Sequence, residues 1–139
     1  MNIPLLYDRV STFRDSIIKS INKNTPFVFL DFPMGCCSDA SLLLGMFFSG
    51  FEAYDIEYVS ARCEQLTHVW LTVNGKIVDI TCGQFEYFDG SIYIGEKNSF
   101  YECFDAEIPD REPIVIEQLE EKLIKYELYS FYKTIMNNL

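Results

Sequence analysis

The feature that most constrains the fold is an almost uninterrupted apolar segment from Ala40 to Phe48, in which only Ser41 and Gly45 are neither large nor apolar. A helix that is apolar on all sides is buried over most of its surface. Ser38 and Asp39 precede the segment, and both residue types are favoured at a helix start. Gly50 follows it and is typical of a helix end. The sequence therefore predicts a central buried helix, which the rest of the chain must cover.

Amphipathic periodicity at both ends of the chain predicts two flanking helices. From Leu5 to Asn22, apolar side chains recur at steps of three and four residues: Leu6, Val10, Phe13, Ile17 and Ile21. Residues 116–138 predict a last helix, whose apolar face includes Leu119, Leu123, Tyr126, Leu128, Phe131, Tyr132, Ile135 and Met136. Residues 27–32, FVFLDF, are typical of a short buried strand or an extended lead-in to the central helix.

Five short runs rich in aromatic and β-branched residues predict strands at 57–61, 68–73, 76–81, 91–95 and 100–108. Asn74-Gly75 lies between the second and third runs and predicts a two-residue type I′ turn, which pairs Val73 with Lys76 and fixes the register. The order is helix, buried helix, antiparallel sheet and helix. With 139 residues, the chain is predicted to be one α+β domain over residues 1–139.

Charge and composition exclude several classes of function. The net charge is −10, and residues 31–110 carry three basic against fourteen acidic side chains, a net of −11. Such a surface repels phosphate backbones, so nucleic-acid binding is not expected. The sequence has no apolar run long enough for a membrane span, and its N-terminus lacks the basic region and cleavage site of a signal peptide. These features favour a soluble, cytoplasmic protein.

The cysteine pattern favours free thiols. The chain has five cysteines, an odd number, and Cys36 and Cys37 are adjacent. Without a secretion signal, this pattern argues against a disulfide framework. The only short metal-like pairing is Cys63 with His68, and no second pair of that kind follows. We therefore expect no metal ion and no cofactor.

The only histidine is the most informative residue for chemistry. In the predicted strand 68–73, His68 and Trp70 point to one face, and the register of the hairpin brings Asp79 to that same face. Diagonal neighbours across a hairpin lie ~7–8 Å apart, which allows an imidazole–carboxylate contact. Such a carboxylate orients a catalytic imidazole. Trp70 is expected to be a core residue that shields the pair from water.

A base and its orienting acid require a nucleophile, and the sequence offers one at the start of the buried helix. There, Gly35-Cys36-Cys37 places a thiol at the positive end of the helix dipole, which favours the thiolate. Each of these residues also has a structural interpretation: a buried cysteine is usually a packing residue, and a histidine beside an aspartate is usually a structural hydrogen bond. The combination of the cysteine, the histidine and the aspartate favours a catalytic site.

In this order, the cysteine, histidine and aspartate resemble the papain-like fold, and the transglutaminase-like core most closely. The family pattern G-x-C-x-D-x-A before an apolar helix is similar to Gly35-Cys36-Cys37-Ser38-Asp39-Ala40-Ser41. The pattern H-x-W is met by His68-Val69-Trp70, and the family aspartate falls on Asp79 in Ile77-Val78-Asp79-Ile80-Thr81. The chain also resembles small uncharacterised bacterial and phage-type proteins with a similar D-I-T-x-x-Q-F. The matched stretch is residues 33–85.

The resemblance implies a catalytic triad of Cys37, His68 and Asp79, with two departures. The spacing to Asp39 selects Cys37 as the nucleophile, whereas the spacing to Ala40 selects Cys36; we favour Cys37. Papain-type enzymes carry a glutamine about six residues before the nucleophile as an oxyanion donor, but this chain has Asp31 there. An ionised carboxylate cannot donate a hydrogen bond. The oxyanion would rely on the Cys37 backbone N–H and a second donor, for which Gln84 is a candidate.

The predicted function is thiol-dependent acyl chemistry on a peptide, a protein or a small amide, either as a hydrolase (peptidase, amidase or deamidase) or as an acyl transferase. The acidic middle of the chain favours a cationic substrate. The alternative is a non-catalytic binding or immunity-type module that retains the fold. In that case, Tyr126, Tyr129, Phe131 and Tyr132 of the C-terminal helix offer a surface for a partner or a homodimer, unless they pack on the core.

Overall fold

The structure is a computed structural model that describes residues 2–22, 24–51 and 53–139. Within these ranges, the chain forms five α-helices and five β-strands. The helices are α1 (Ile3–Ser20), α2 (Cys37–Phe48), α3 (Ser99–Glu102), α4 (Ile116–Lys125) and α5 (Tyr129–Asn137). The strands are β1 (Ile56–Cys63), β2 (Leu66–Val73), β3 (Lys76–Asp79), β4 (Tyr93–Gly95) and β5 (Asp110–Pro113). The predicted α+β class is confirmed.

All five strands form one antiparallel sheet in the order β4-β3-β2-β1-β5. The β2–β3 hairpin has the register expected from its turn, because Val73 pairs with Lys76 and Leu71 pairs with Val78. Asn74 and Gly75 both adopt positive φ, at 51° and 83°. A type I′ turn requires positive φ at both central positions, which explains why Asn-Gly occupies them.

The central helix α2 is buried, as predicted, with Leu43 and Ala40 fully inaccessible to solvent. Its leucines pack with Leu71 and Val73 of the sheet in the main core, to which α1, α4 and α5 also contribute. Neighbouring residues in a strand point to opposite faces, so Trp70 lies on the other face of the sheet. There it belongs to a second, smaller core with Val59, Ala61, Ile77, Tyr101 and Phe104.

Residues 100–108 do not form the predicted strand. Instead, α3 begins at Ser99 and continues into a 3-10 helix at Cys103–Ala106. The cause is local: the Asn98 side chain accepts a hydrogen bond from the Tyr101 backbone N–H at 3.2 Å and caps the helix. The aromatic residues that suggested a strand instead form the second core.

Two other predicted elements also differ. Residues 27–32 form a 3-10 helix at Phe27–Phe29 and then turns, rather than a strand, and only Phe29 of that helix is buried. The last helix is broken into α4 and α5 at Glu127, whose φ of 60° is incompatible with a continuous helix. Phe131 of the second helix is buried, while Tyr126 and Tyr129 stay exposed.

The expectation about cysteines is corrected for one pair, because Cys63 and Cys103 form a disulfide, with their Cα atoms 5.5 Å apart. Residues 40 positions apart are hard to pair from sequence, and the wrong prediction of a strand at 100–108 concealed this contact. Cys36, Cys37 and Cys82 are free. In the described part of the chain, no helix has the length and apolarity needed to cross a membrane.

Candidate active site

The centre of the site is a buried histidine–aspartate pair on the β2–β3 hairpin. The His68 Nε2 and Asp79 Oδ2 atoms are 2.7 Å apart, and the two side chains are 0% and 1% exposed. The contact expected from the register is therefore present. Because the charged form of an imidazole is stabilised by a carboxylate at this distance, the pair is suited to hold a proton on His68.

Three donors besides His68 hold the Asp79 carboxylate. The Tyr101 hydroxyl donates to Oδ2 at 2.7 Å, and the Thr81 backbone N–H donates to Oδ1 at 3.0 Å. The Thr81 hydroxyl adds a longer contact to Oδ1 at 3.4 Å. Several hydrogen bonds to one carboxylate compensate the cost of burying it and restrict its orientation. Asp79 is therefore fixed in the orientation that faces His68.

The sequence did not single out Tyr101, although its side chain is fully buried and contacts Asp79 directly. Burial and the negative charge of Asp79 raise the pKa of the Tyr101 phenol strongly, so it stays a hydrogen-bond donor at all ordinary pH values. The signal that could have found it is Asn98, because an asparagine before Ser99 is a helix cap and places Tyr101 in the first turn of a helix.

Opposing effects set the pKa of His68. Burial alone would lower it, but the hydrogen bond to Asp79, the nearby Cys37 thiol and the charges of both groups raise it to about 9. His68 is therefore protonated at neutral pH. Its second ring nitrogen, Nδ1, is buried and has no partner of hydrogen-bond geometry among the described residues. The thiol thus influences the imidazole without a closed hydrogen bond, as is common in sites without substrate.

The two adjacent cysteines occupy different environments. Cys36 is 3% exposed and lies in the main core, where burial and then the neighbouring Cys37 raise its pKa to about 12. Cys37 is half-buried and is the first residue of α2, and it is the cysteine that interacts with His68. Of the two alternatives left by the sequence, Cys37 is the less buried, so it stays the candidate nucleophile.

Aromatic rings surround His68. The ring centroids of Phe85 and Trp70 lie 4.8 Å and 5.6 Å from that of the imidazole, and Phe100 and Phe104 each lie at 6.2 Å. Trp70 is buried, as expected, and packs on Tyr101. These rings exclude water from the His68–Asp79 pair, and in a medium of low polarity the attraction between the two charges is stronger.

A candidate oxyanion donor lies next to this aromatic group. The side-chain nitrogen of Gln84 is buried and has no hydrogen-bond partner in the part of the chain that the structure describes. Its neighbour Phe85 is in edge contact with His68. A buried amide donor without a partner is costly, and a role in binding substrate is one explanation for it. Asp31, in contrast, is exposed and takes no part in the site.

Replacing Tyr101 with phenylalanine should destabilise the protein by about 1.5–3 kcal/mol, because a buried hydrogen bond to a charged acceptor is lost. The free energy of unfolding in urea measures this effect. Tyr87→Phe is the matched control, since the Tyr87 hydroxyl also makes a 2.7 Å hydrogen bond, to Ser99, but on the surface. An equal, small change in both variants would show that Tyr101 does not hold Asp79.

Comparison of the chain with family models, with curated proteins and with solved structures finds no match.

Proposed function

We propose that this chain is a thiol-dependent enzyme with a papain-like fold of the transglutaminase-like type, which acts on an amide or a related acyl group. The observation that carries the proposal is the buried His68–Asp79 pair at 2.7 Å, with the free thiol of Cys37 acting on the same imidazole. Histidine and aspartate alone are a common structural pair. A thiol at the start of a buried helix supplies the nucleophile that the pair requires.

In the proposed resting state, the proton shared by Cys37 and His68 lies on the imidazole, as the raised pKa of His68 favours. The Cys37 thiolate attacks the carbonyl carbon of the substrate, and the oxyanion accepts hydrogen bonds from the Cys37 backbone N–H and the Gln84 amide. The bond from carbon to the leaving nitrogen then breaks, and His68 gives its proton to that nitrogen. The product of this half-reaction is a thioester on Cys37.

The second half-reaction regenerates the enzyme. Neutral His68 removes a proton from water, or from an amine, as that molecule attacks the thioester carbonyl. The bond between carbon and sulfur breaks, and the thiolate and the imidazolium are restored. Water gives hydrolysis and an amine gives acyl transfer; the same residues serve both reactions.

Site-mapped alkylation tests this proposal. Iodoacetamide at pH 7 should modify Cys37 at least about tenfold faster than Cys36 and Cys82, because a thiolate is the reactive species. Peptide mass spectrometry measures the rate at each cysteine. The comparison is internal, since the three free cysteines share one sample. Slow labelling of all three at similar rates would instead support the alternative, a non-catalytic binding or immunity-type module.

A further inference from the structure

A cavity of about 310 Å³ begins at the residues that follow Cys37 in the chain. Its polar lining is formed by Ser38, Asp39, Tyr58, Glu112, Lys122 and Tyr126, and we call it the Asp39 pocket. The hydroxyl groups of Ser38 and Tyr58 are joined by a hydrogen bond of 2.7 Å. This bond holds in place the wall of the pocket that contains Ser38, the residue next to Cys37 in the chain. A pocket of this volume is at the small end of ligand sites and fits one side chain or a small molecule.

The charges in this pocket are not balanced. Lys122 Nζ lies 2.9 Å from Glu112 Oε2, so these two groups neutralise each other. Asp39 is the third charged group of the lining, and no residue in the described ranges hydrogen-bonds to its carboxylate or pairs with it. It is half-buried, and burial raises its pKa. A cation bound here would therefore compensate a partly desolvated carboxylate.

The other walls suit the same ligand. The faces of tyrosine rings attract cations. Tyr58 demonstrates this in the pocket itself, because Lys122 Nζ already lies 5.9 Å from the centroid of its ring. Tyr126 contributes a second phenol to the lining. An ammonium or guanidinium group would thus meet a carboxylate, phenol oxygens and ring faces within one pocket.

We propose that the Asp39 pocket is a specificity subsite, which binds an ammonium or guanidinium group that the substrate carries near the acyl group presented to Cys37. This inference rests on the proposed function and extends it, because it names the chemical class of the substrate. Asp39 is the specificity-determining residue, and it takes no part in bond breaking.

Methanethiosulfonate reagents of different charge test the subsite without a known substrate. The Cys37 sulfur attacks the reagent, a disulfide forms, and methanesulfinate leaves. The probes are 2-aminoethyl (cationic), methyl (neutral) and 2-sulfonatoethyl (anionic) methanethiosulfonate, and 2-mercaptoethanol in solution corrects for their intrinsic reactivity. After this correction, the cationic probe should modify Cys37 about fivefold faster than the neutral one, and the anionic probe should be slowest.

Two variants and one competitor separate a subsite from a general charge effect. Asp39→Asn should remove the preference for the cationic probe, whereas Asp39→Glu should keep most of it. Asp31→Asn is the matched control: it also removes one acidic charge near the cysteines but lies outside the pocket, so the preference should persist. In the unmodified protein, n-butylammonium should protect Cys37 from the neutral probe in a saturable manner.

The labelling experiment distinguishes an error in the subsite proposal from an error in the proposed function. If the neutral probe reacts with Cys37 no faster than with Cys82, the enzyme proposal fails. If Cys37 reacts selectively but without a preference for the cation, or if it prefers the anion, the enzyme proposal stands and the subsite is wrong. Equal effects of Asp39→Asn and Asp31→Asn would also overturn the subsite.

Discussion

Replacing Cys37 with alanine should abolish the formation of a covalent acyl adduct, because Cys37 is the one thiol among the described residues that acts on His68. p-Nitrophenyl acetate is a suitable generic donor: the thiolate forms a thioester, and p-nitrophenolate leaves with a measurable colour. Intact-mass spectrometry detects the added acetyl group. His68→Ala should be almost as severe, with a loss of about 100-fold or more in the acylation rate, because proton transfer and support of the thiolate are both removed.

The acylation rates of the other variants should differ according to the roles of the replaced residues. Asp79→Asn should reduce the acylation rate less than His68→Ala, since it removes orientation and charge rather than the base. Cys82→Ala is the matched control, because it deletes another free thiol and should leave acylation unchanged in the folded protein. Cys36→Ala should likewise acylate normally. An acylated Cys37→Ala protein would show that the constellation is structural.

The stability of the protein should fall by about 3 kcal/mol as the pH rises from 6.5 to above 9. The pKa of His68 is about 9 in the folded protein and about 6.5 when the chain is unfolded. A raised pKa means that the folded state holds the proton more tightly. Its contribution is therefore complete below pH 6.5, and it is lost as the pH rises through the folded pKa.

Urea unfolding at a series of pH values up to 9 measures this loss. Above pH 9, the buried thiols Cys36 and Cys82, whose pKa values are about 12, add a dependence of their own. Asp79→Asn should be less stable at pH 6 and should show a much flatter pH profile, since His68 then lacks its carboxylate. Asp105→Asn, which removes an exposed partner of Lys97, is the control and should keep the slope of the unmodified protein. A flat profile in the unmodified protein would mean that His68 is not paired as an imidazolium.

The parts of the fold with strong local signals could be predicted. The Asn74-Gly75 turn determines the hairpin register, and from that register the contact between His68 and Asp79 follows. The buried face of α1 follows from the spacing of its apolar residues at steps of three and four. The burial of α2 follows from its being apolar on all sides. In these segments, local preference and tertiary packing favour the same conformation.

The failures occurred where local preference and tertiary context disagree. Aromatic residues at 100–104 suggested a strand, but an Asn98 cap and packing on Trp70 favour a helix. The predicted strands did not include residues 110–113, yet β5 forms there as an edge strand and ends at Pro113, where a missing N–H is tolerated. Tyr101 and the pairing of Cys63 with Cys103 depend on that missed helix: the Asn98 cap was a signal for Tyr101, whereas the disulfide joins residues 40 positions apart and has no local signal.

The rate at which iodoacetamide alkylates Cys37 at pH 7, in the unmodified protein and in His68→Ala, tests directly whether His68 activates this thiol. An ordinary thiol, of pKa ~8.5, is only a few per cent ionised at this pH and reacts slowly. If His68 stabilises a thiolate, its removal should slow the alkylation of Cys37 by about tenfold or more and leave the rate at Cys82 unchanged. Equal rates at Cys37 in the two proteins would mean that His68 has no influence on the thiol and that the three residues do not form a catalytic site.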